Sequence, residues 1–127
     1  MFVIVDTTNE PIRWPVKVEQ PIDGGKVRTF EFTGIFRRLS ADEKEALGKE
    51  VGDDMMNDDQ VDWVQNFIDR TMQVMTGWEG VVDQDKNKLE FTAEALRRAI
   101  RAPSGASFMK AINRAITEFE TGTKAKN

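Results

Sequence analysis

The sequence predicts an α+β domain: an N-terminal antiparallel β-hairpin or small sheet followed by a bundle of about four α-helices. Three observations lead there. Two runs of period-two alternation flank an Asp-Gly-Gly turn within the first 36 residues. From residue 40 the apolar spacing changes to three and four. The order is strands first and helices afterwards, not a βαβ alternation. Residues 1–39 form the sheet, residues 40–120 the helical part of the same single domain, and residues 121–127 a polar tail.

The first alternating run sets Trp14, Val16 and Val18 against Arg13, Lys17 and Glu19. Pro15 cannot donate to a ladder, which makes this an edge strand or the opening of one. Asp23-Gly24-Gly25 supplies the turn, and Lys26 to Phe36 alternates again, with Phe30, Phe32 and Phe36 opposite Thr29, Glu31 and Thr33. A lone hairpin is marginal in water, so its aromatic face needs a cover from the rest of the chain.

Ser40-Ala41-Asp42-Glu43 reads as a capping box, in which the serine hydroxyl accepts from the amide of Glu43 and the glutamate reaches back to the amide of Ser40. A short acidic helix follows to about Val51, and Gly52-Asp53-Asp54 is expected to break it. The strongest helical signal runs from about Asp59 to Met75. Val61, Val64, Ile68, Met72 and Met75 make one stripe, and Trp63, Phe67 and Val74 a second, about 120° round. Gly77 to Lys88 reads as a turn-rich connector with Trp78 between two glycines. Thr92 caps a short helix carrying Leu96 and Ile100, and Pro103-Ser104-Gly105 interrupts it. Phe108, Ile112, Ala115, Ile116 and Phe119 then line one face of a last, amphipathic helix.

Composition narrows the function. Hydrophobic residues at 39% are enough for a core that needs no covalent staple. Cysteine and histidine are both absent, which excludes a disulfide scaffold, thiolate or imidazole metal sites, and Ser-His or Cys-His catalysis. No catalytic, cofactor-binding or metal-binding residue is assigned, and a non-enzymatic protein is expected. The net charge of −4 argues against nucleic-acid binding. The opening Met1-Phe2-Val3-Ile4-Val5-Asp6 has no basic start and is too short an apolar run for a signal peptide or membrane span, so a cytoplasmic protein away from the membrane is expected. Residues 40–62 hold nine acidic and two basic side chains, whereas residues 97–127 hold seven basic and two acidic ones. Two solvated faces of opposite sign are the simplest consequence.

Several tempting motifs fail on spacing. Asp53, Asp54, Asp58 and Asp59 come in adjacent pairs, not in the alternating frame of a calcium loop, and read as acids capping the second helix. Asp83 and Asp85 read as turn residues. Gly24-Gly25-Lys26 joins two strands and lacks the rest of a phosphate loop. Arg97, Arg98 and Arg101 read as surface residues compatible with a helix dipole. Tryptophan and the second stripe of the long helix are the features left over. If the hairpin covers only one stripe, the other is open to a partner, which makes Trp63, Phe67, Val74 and Trp78 the candidate protein-binding residues. If it covers both, all four are core.

Trp14-Pro15-Val16, the run from Pro21 to Lys26 and the alternating Phe30 to Phe36 resemble the opening of small tail assembly chaperones of long-tailed phages and prophages. So does Gly77-Trp78-Glu79-Gly80-Val81-Val82-Asp83 followed by Leu89-Glu90-Phe91-Thr92 and a short helix; together the likeness spans about residues 12 to 120. It departs at Asp85-Lys86-Asn87-Lys88, where the pattern has another Asp-Gly turn. The resemblance implies a chaperone that binds the hydrophobic, helical tape-measure protein, keeps it soluble, helps recruit the tail tube protein and is absent from the mature virion. In such families a frameshift also makes a longer form. Two other classes remain open: a structural tail or head-tail component forming a homo-oligomeric ring, and a small regulatory or adaptor protein.

Overall fold

The computed structural model describes residues 1–57 and 62–122. Its elements in chain order are β1 (Ile12–Ile22), β2 (Lys26–Phe36), α1 (Ala41–Asn57), α2 (Trp63–Val74), β3 (Met75–Glu79), α3 (Ala93–Arg101) and α4 (Gly105–Thr121). The α+β class is as the sequence predicts. β1 and β2 pair antiparallel along their whole length, from Ile12 opposite Phe36 to Ile22 opposite Lys26. The turn between them needs positive φ at Gly24 (81°) and Gly25 (74°), which glycine adopts without steric cost.

A third strand completes the sheet in the order β1-β2-β3, antiparallel throughout. It occupies the start of the segment expected to be a connector, inside the part expected to be wholly helical. The register shifts between Ile35 and Phe36, so Met75 faces Phe36 while Trp78 faces Gly34. That bulge puts the two buried side chains three residues apart, and no period-two alternation survives for the sequence to show.

The helical start signals hold. The Ser40 amide donates to Glu43 Oε1 at 3.0 Å and the Glu43 amide to Ser40 Oγ at 3.1 Å, closing the capping box. Arg37 donates to the other carboxylate oxygen of Glu43 at 2.8 Å, and this contact leads in holding the Glu43 pKa below its ordinary value. Thr92 and Asp62 cap α3 and α2 by accepting from the amides of Ala95 and Gln65, each at 3.0 Å. One stop signal fails: α1 runs through Gly52-Asp53-Asp54 to Asn57. A helical glycine costs only about 1 kcal/mol relative to alanine, too little by itself to end a helix that Glu50 before it and Met55-Met56 after it favour. Asp53 and Asp54 are therefore helical, while Asp58, Asp59, Val61 and the tail from Thr123 lie outside the described residues.

The core lies between one sheet face and the helices. Val16, Phe36, Ile68, Met75, Leu96 and Ile112 are all under 2% exposed, and burying each contributes about 1.5–3 kcal/mol. α4 lies along β1, and the ring of Phe119 sits 5.0 Å from that of Phe36. Trp14 is half-buried at the rim, where its indole N–H donates to Glu118 Oε1 at 3.3 Å.

Candidate functional site

α2 has a single buried face, made by Val64, Phe67, Ile68, Thr71 and Val74. At 100° per residue these positions fall between the two stripes read from the sequence, so Phe67 belongs to the core, not to a second, open surface. Phe67 is 6% exposed, Val74 4% and Trp78 7%. Burial gives those three a packing role, and Trp78 at the same time lines an open groove. Trp63 differs. It is the first residue of α2 and is 60% exposed, leaving it free at the surface.

Trp78 organises a different feature. Its ring meets Phe91 edge-on at 5.1 Å, Phe32 at 6.1 Å and Phe108 at 6.4 Å. Its indole N–H donates to the Leu89 carbonyl at 2.8 Å. The Leu89 amide in turn donates to the Val81 carbonyl at 3.1 Å, and Val82 bridges Lys88. Residues 81–89 thereby fold into a clasp held against the tryptophan. Phe32 and Phe108 stack at 5.9 Å beside it.

Between this clasp, the distal part of the hairpin and the α3–α4 corner lies an open groove of about 570 Å³, within the range of roughly 300–1,000 Å³ typical of ligand clefts. Phe32, Trp78 and Phe108 form its aromatic floor, Val81, Val82 and Leu89 one wall, and Ala95, Ala99 and Ala102 the other. Glu31, Asp83 and Arg98 bring charge to the rim. Small alanines on α3 leave space beside large rings, and that contrast creates the groove. Of its lining residues only Trp78 is a partner-binding candidate from the sequence, because the contributing segments meet only in the tertiary fold. The apolar pair Val81-Val82 and the alternating Leu89 and Phe91 are the local signal for the groove.

Asp83 holds the end of the clasp. One carboxylate oxygen accepts from the amides of Asp85 and Asn87, both at 2.9 Å, as an Asx turn. The Asn87 amide leads in lowering the Asp83 pKa from its ordinary value, followed, against the opposing effect of desolvation, by the Asp85 amide. Because the folded pKa is the lower one, the turn's stabilisation is present above the unfolded value near about 3.9. It is lost as pH falls through the folded value. We expect the Asp85 and Asn87 amide resonances to titrate together, with a midpoint below about 3.9. A common midpoint at or above that value contradicts the arrangement.

Among the described residues no group of three or more carboxylates is placed to hold a metal ion, and no helix is long and apolar enough to cross a membrane. Arg97 donates to Gln65 across α2 and α3, whereas Arg98 and Arg101 are exposed, so the three arginines form no common phosphate cradle. The chemistry the groove offers is burial of an apolar surface. Comparison of the chain with protein-family models, with characterised proteins and with solved structures finds no significant match to any of them.

Proposed function

We propose that this chain is a non-catalytic tail assembly chaperone of a long-tailed phage or prophage, acting in the host bacterial cytoplasm. It binds the hydrophobic, helical tape-measure protein, keeps it soluble and helps recruit tail tube subunits. One observation carries the reading. Two of the runs that bear the resemblance, residues 77–83 and 89–92, meet at the Trp78 clasp and supply Trp78 to the aromatic floor and one whole wall of the groove. An open apolar trough of that size fits the apolar stripe of an amphipathic helix, with side chains at i, i+3 and i+4 entering between the alanines of α3 and the clasp.

Co-expression with the tape-measure protein of the same genome, followed by affinity capture from the soluble fraction, tests this. The tape-measure protein is expected in the soluble eluate only when this chain is present. Val82→Asp, which puts a carboxylate on an exposed wall residue of the groove, should weaken capture by at least about tenfold. Trp63→Ala, at a residue of α2 that does not line the groove, measures the contribution of the one candidate that lies exposed. A tape-measure protein that stays insoluble, or capture indifferent to Val82→Asp, overturns the groove reading.

A further inference from the structure

The three-stranded sheet treats its edges unequally. On β1, Pro15 and Pro21 stand opposite Thr33 and Val27. They share the parity at which the β1 backbone turns away from β2, since a proline at a hydrogen-bonded position would break the ladder. Two missing donors therefore blunt the outer edge of β1. The other side of the hairpin is different. β3 covers β2 only from Thr33 to Phe36, and the chain turns off after Glu79 at Gly80, where φ is 88°. Lys26 to Glu31 is exposed along its whole length. By the same parity, Val27, Thr29 and Glu31 point their backbone amides and carbonyls outward along this uncovered edge, which contains no proline.

The same chain displays a segment that matches this edge. Phe2, Val3, Ile4 and Val5 belong to no helix or strand and are strongly exposed, with Phe2 at 88% and Ile4 at 82%. All four are β-prone, and an extended strand of them is apolar on both faces. The tip of the hairpin is apolar on both faces too: Phe30 and Ile22 on one, Val27 and Pro21 on the other. Reaching its own β2 edge would require the arm to run almost fully extended from Ile12 across a face of the sheet. A second copy carries no such constraint.

We propose that residues Phe2–Val5 of one copy add as a strand to the Val27–Glu31 edge of β2 in a second copy, joining chains by β-augmentation. Exchange in both directions closes a dimer, and exchange in one direction closes a ring.

Light scattering on the eluting full-length chain tests the proposal. The expected mass is a multiple of the 14.4 kDa chain. Deleting residues 2–5 should give a monomer, weakening association by at least about tenfold. Thr29→Pro removes only a donor aimed at the open edge and should do the same. The deletion leaves the sheet untouched and decides the matter if Thr29→Pro fails to fold. Because the chain has no cysteine of its own, V3C and T29C chains mixed as single variants should form a disulfide-linked heterodimer. A monomeric full-length chain, association that survives the deletion, or a cross-link found only within one V3C/T29C chain overturns the proposal. These outcomes are independent of tape-measure capture.

Discussion

Gly105→Ala is expected to cost about 3 kcal/mol, at the upper end of the range for overpacked sites. A β-carbon on residue 105 would lie 1.7 Å from the Ile100 carbonyl oxygen, 2.6 Å from its carbon and 3.2 Å from its α-carbon. Those atoms are backbone at the end of α3, so no rotamer change can make room. The corner is also pinned on the other side, because the Gly105 amide donates to the Ala102 carbonyl at 2.8 Å. The substitution must therefore pry α3 from α4, and with them Leu96 and Ile100 from Phe108 and Ile112, which share one core. For a domain of this size the loss corresponds to a fall in Tm of about 10 °C or more, measurable by thermal and urea unfolding. Ala102, Ser104 and Phe108 line the groove, so the same variant should lose tape-measure capture even at temperatures where it stays folded. Wild-type stability would mean that the helices meet less closely than this.

The sequence makes some parts of this fold plain and hides others. Where a signal is local it is legible: the hairpin register follows from two alternating runs and a turn that needs two glycines, and the Ser40 and Thr92 caps follow from side-chain chemistry within three residues. Signals that depend on competition mislead. Gly52 looks like a stop, yet one helical glycine costs only about 1 kcal/mol, and α1 continues. β3 has no local signature because its bulge spaces Met75 and Trp78 by three. On α2 the apolar residues span enough of the girth to support two stripes, and only packing against α3 and β3 selects the one buried face. For that reason three of the four candidate contacts are core, and Trp63 alone is exposed. The groove belongs to no single segment. Its floor is assembled from β2, β3 and α4, which pattern reading along the chain cannot bring together.

Gly34 and Phe36 offer the sharpest test of how the sheet is packed. Across the three strands Trp14, Gly34 and Trp78 stand in one row, so the only bare α-carbon lies between two indoles. Phe36, two residues on and on the same face, folds its ring back over that gap: a β-carbon at Gly34 would lie 2.4 Å from Phe36 Cε2, 2.6 Å from Cζ and 3.1 Å from Val16 Cγ2. The ring is fully buried and meets Phe119 beyond. Phe36→Ala should therefore cost about 3–5 kcal/mol through lost burial and the cavity it leaves. Gly34→Ala alone should cost about 1–3 kcal/mol, because the ring must leave its place. In the double variant the two closest contacts are gone and only the tight 3.1 Å approach to Val16 Cγ2 remains, while alanine is the better strand residue by about 0.5–1 kcal/mol. The pair should then be no less stable than Phe36→Ala alone, a coupling of about 1–3 kcal/mol in a double-mutant cycle by urea unfolding. Simple additivity would show that something other than the Phe36 ring demands glycine at position 34. Strong coupling would show that the glycine is there to seat the aromatic ring that joins the sheet to α4.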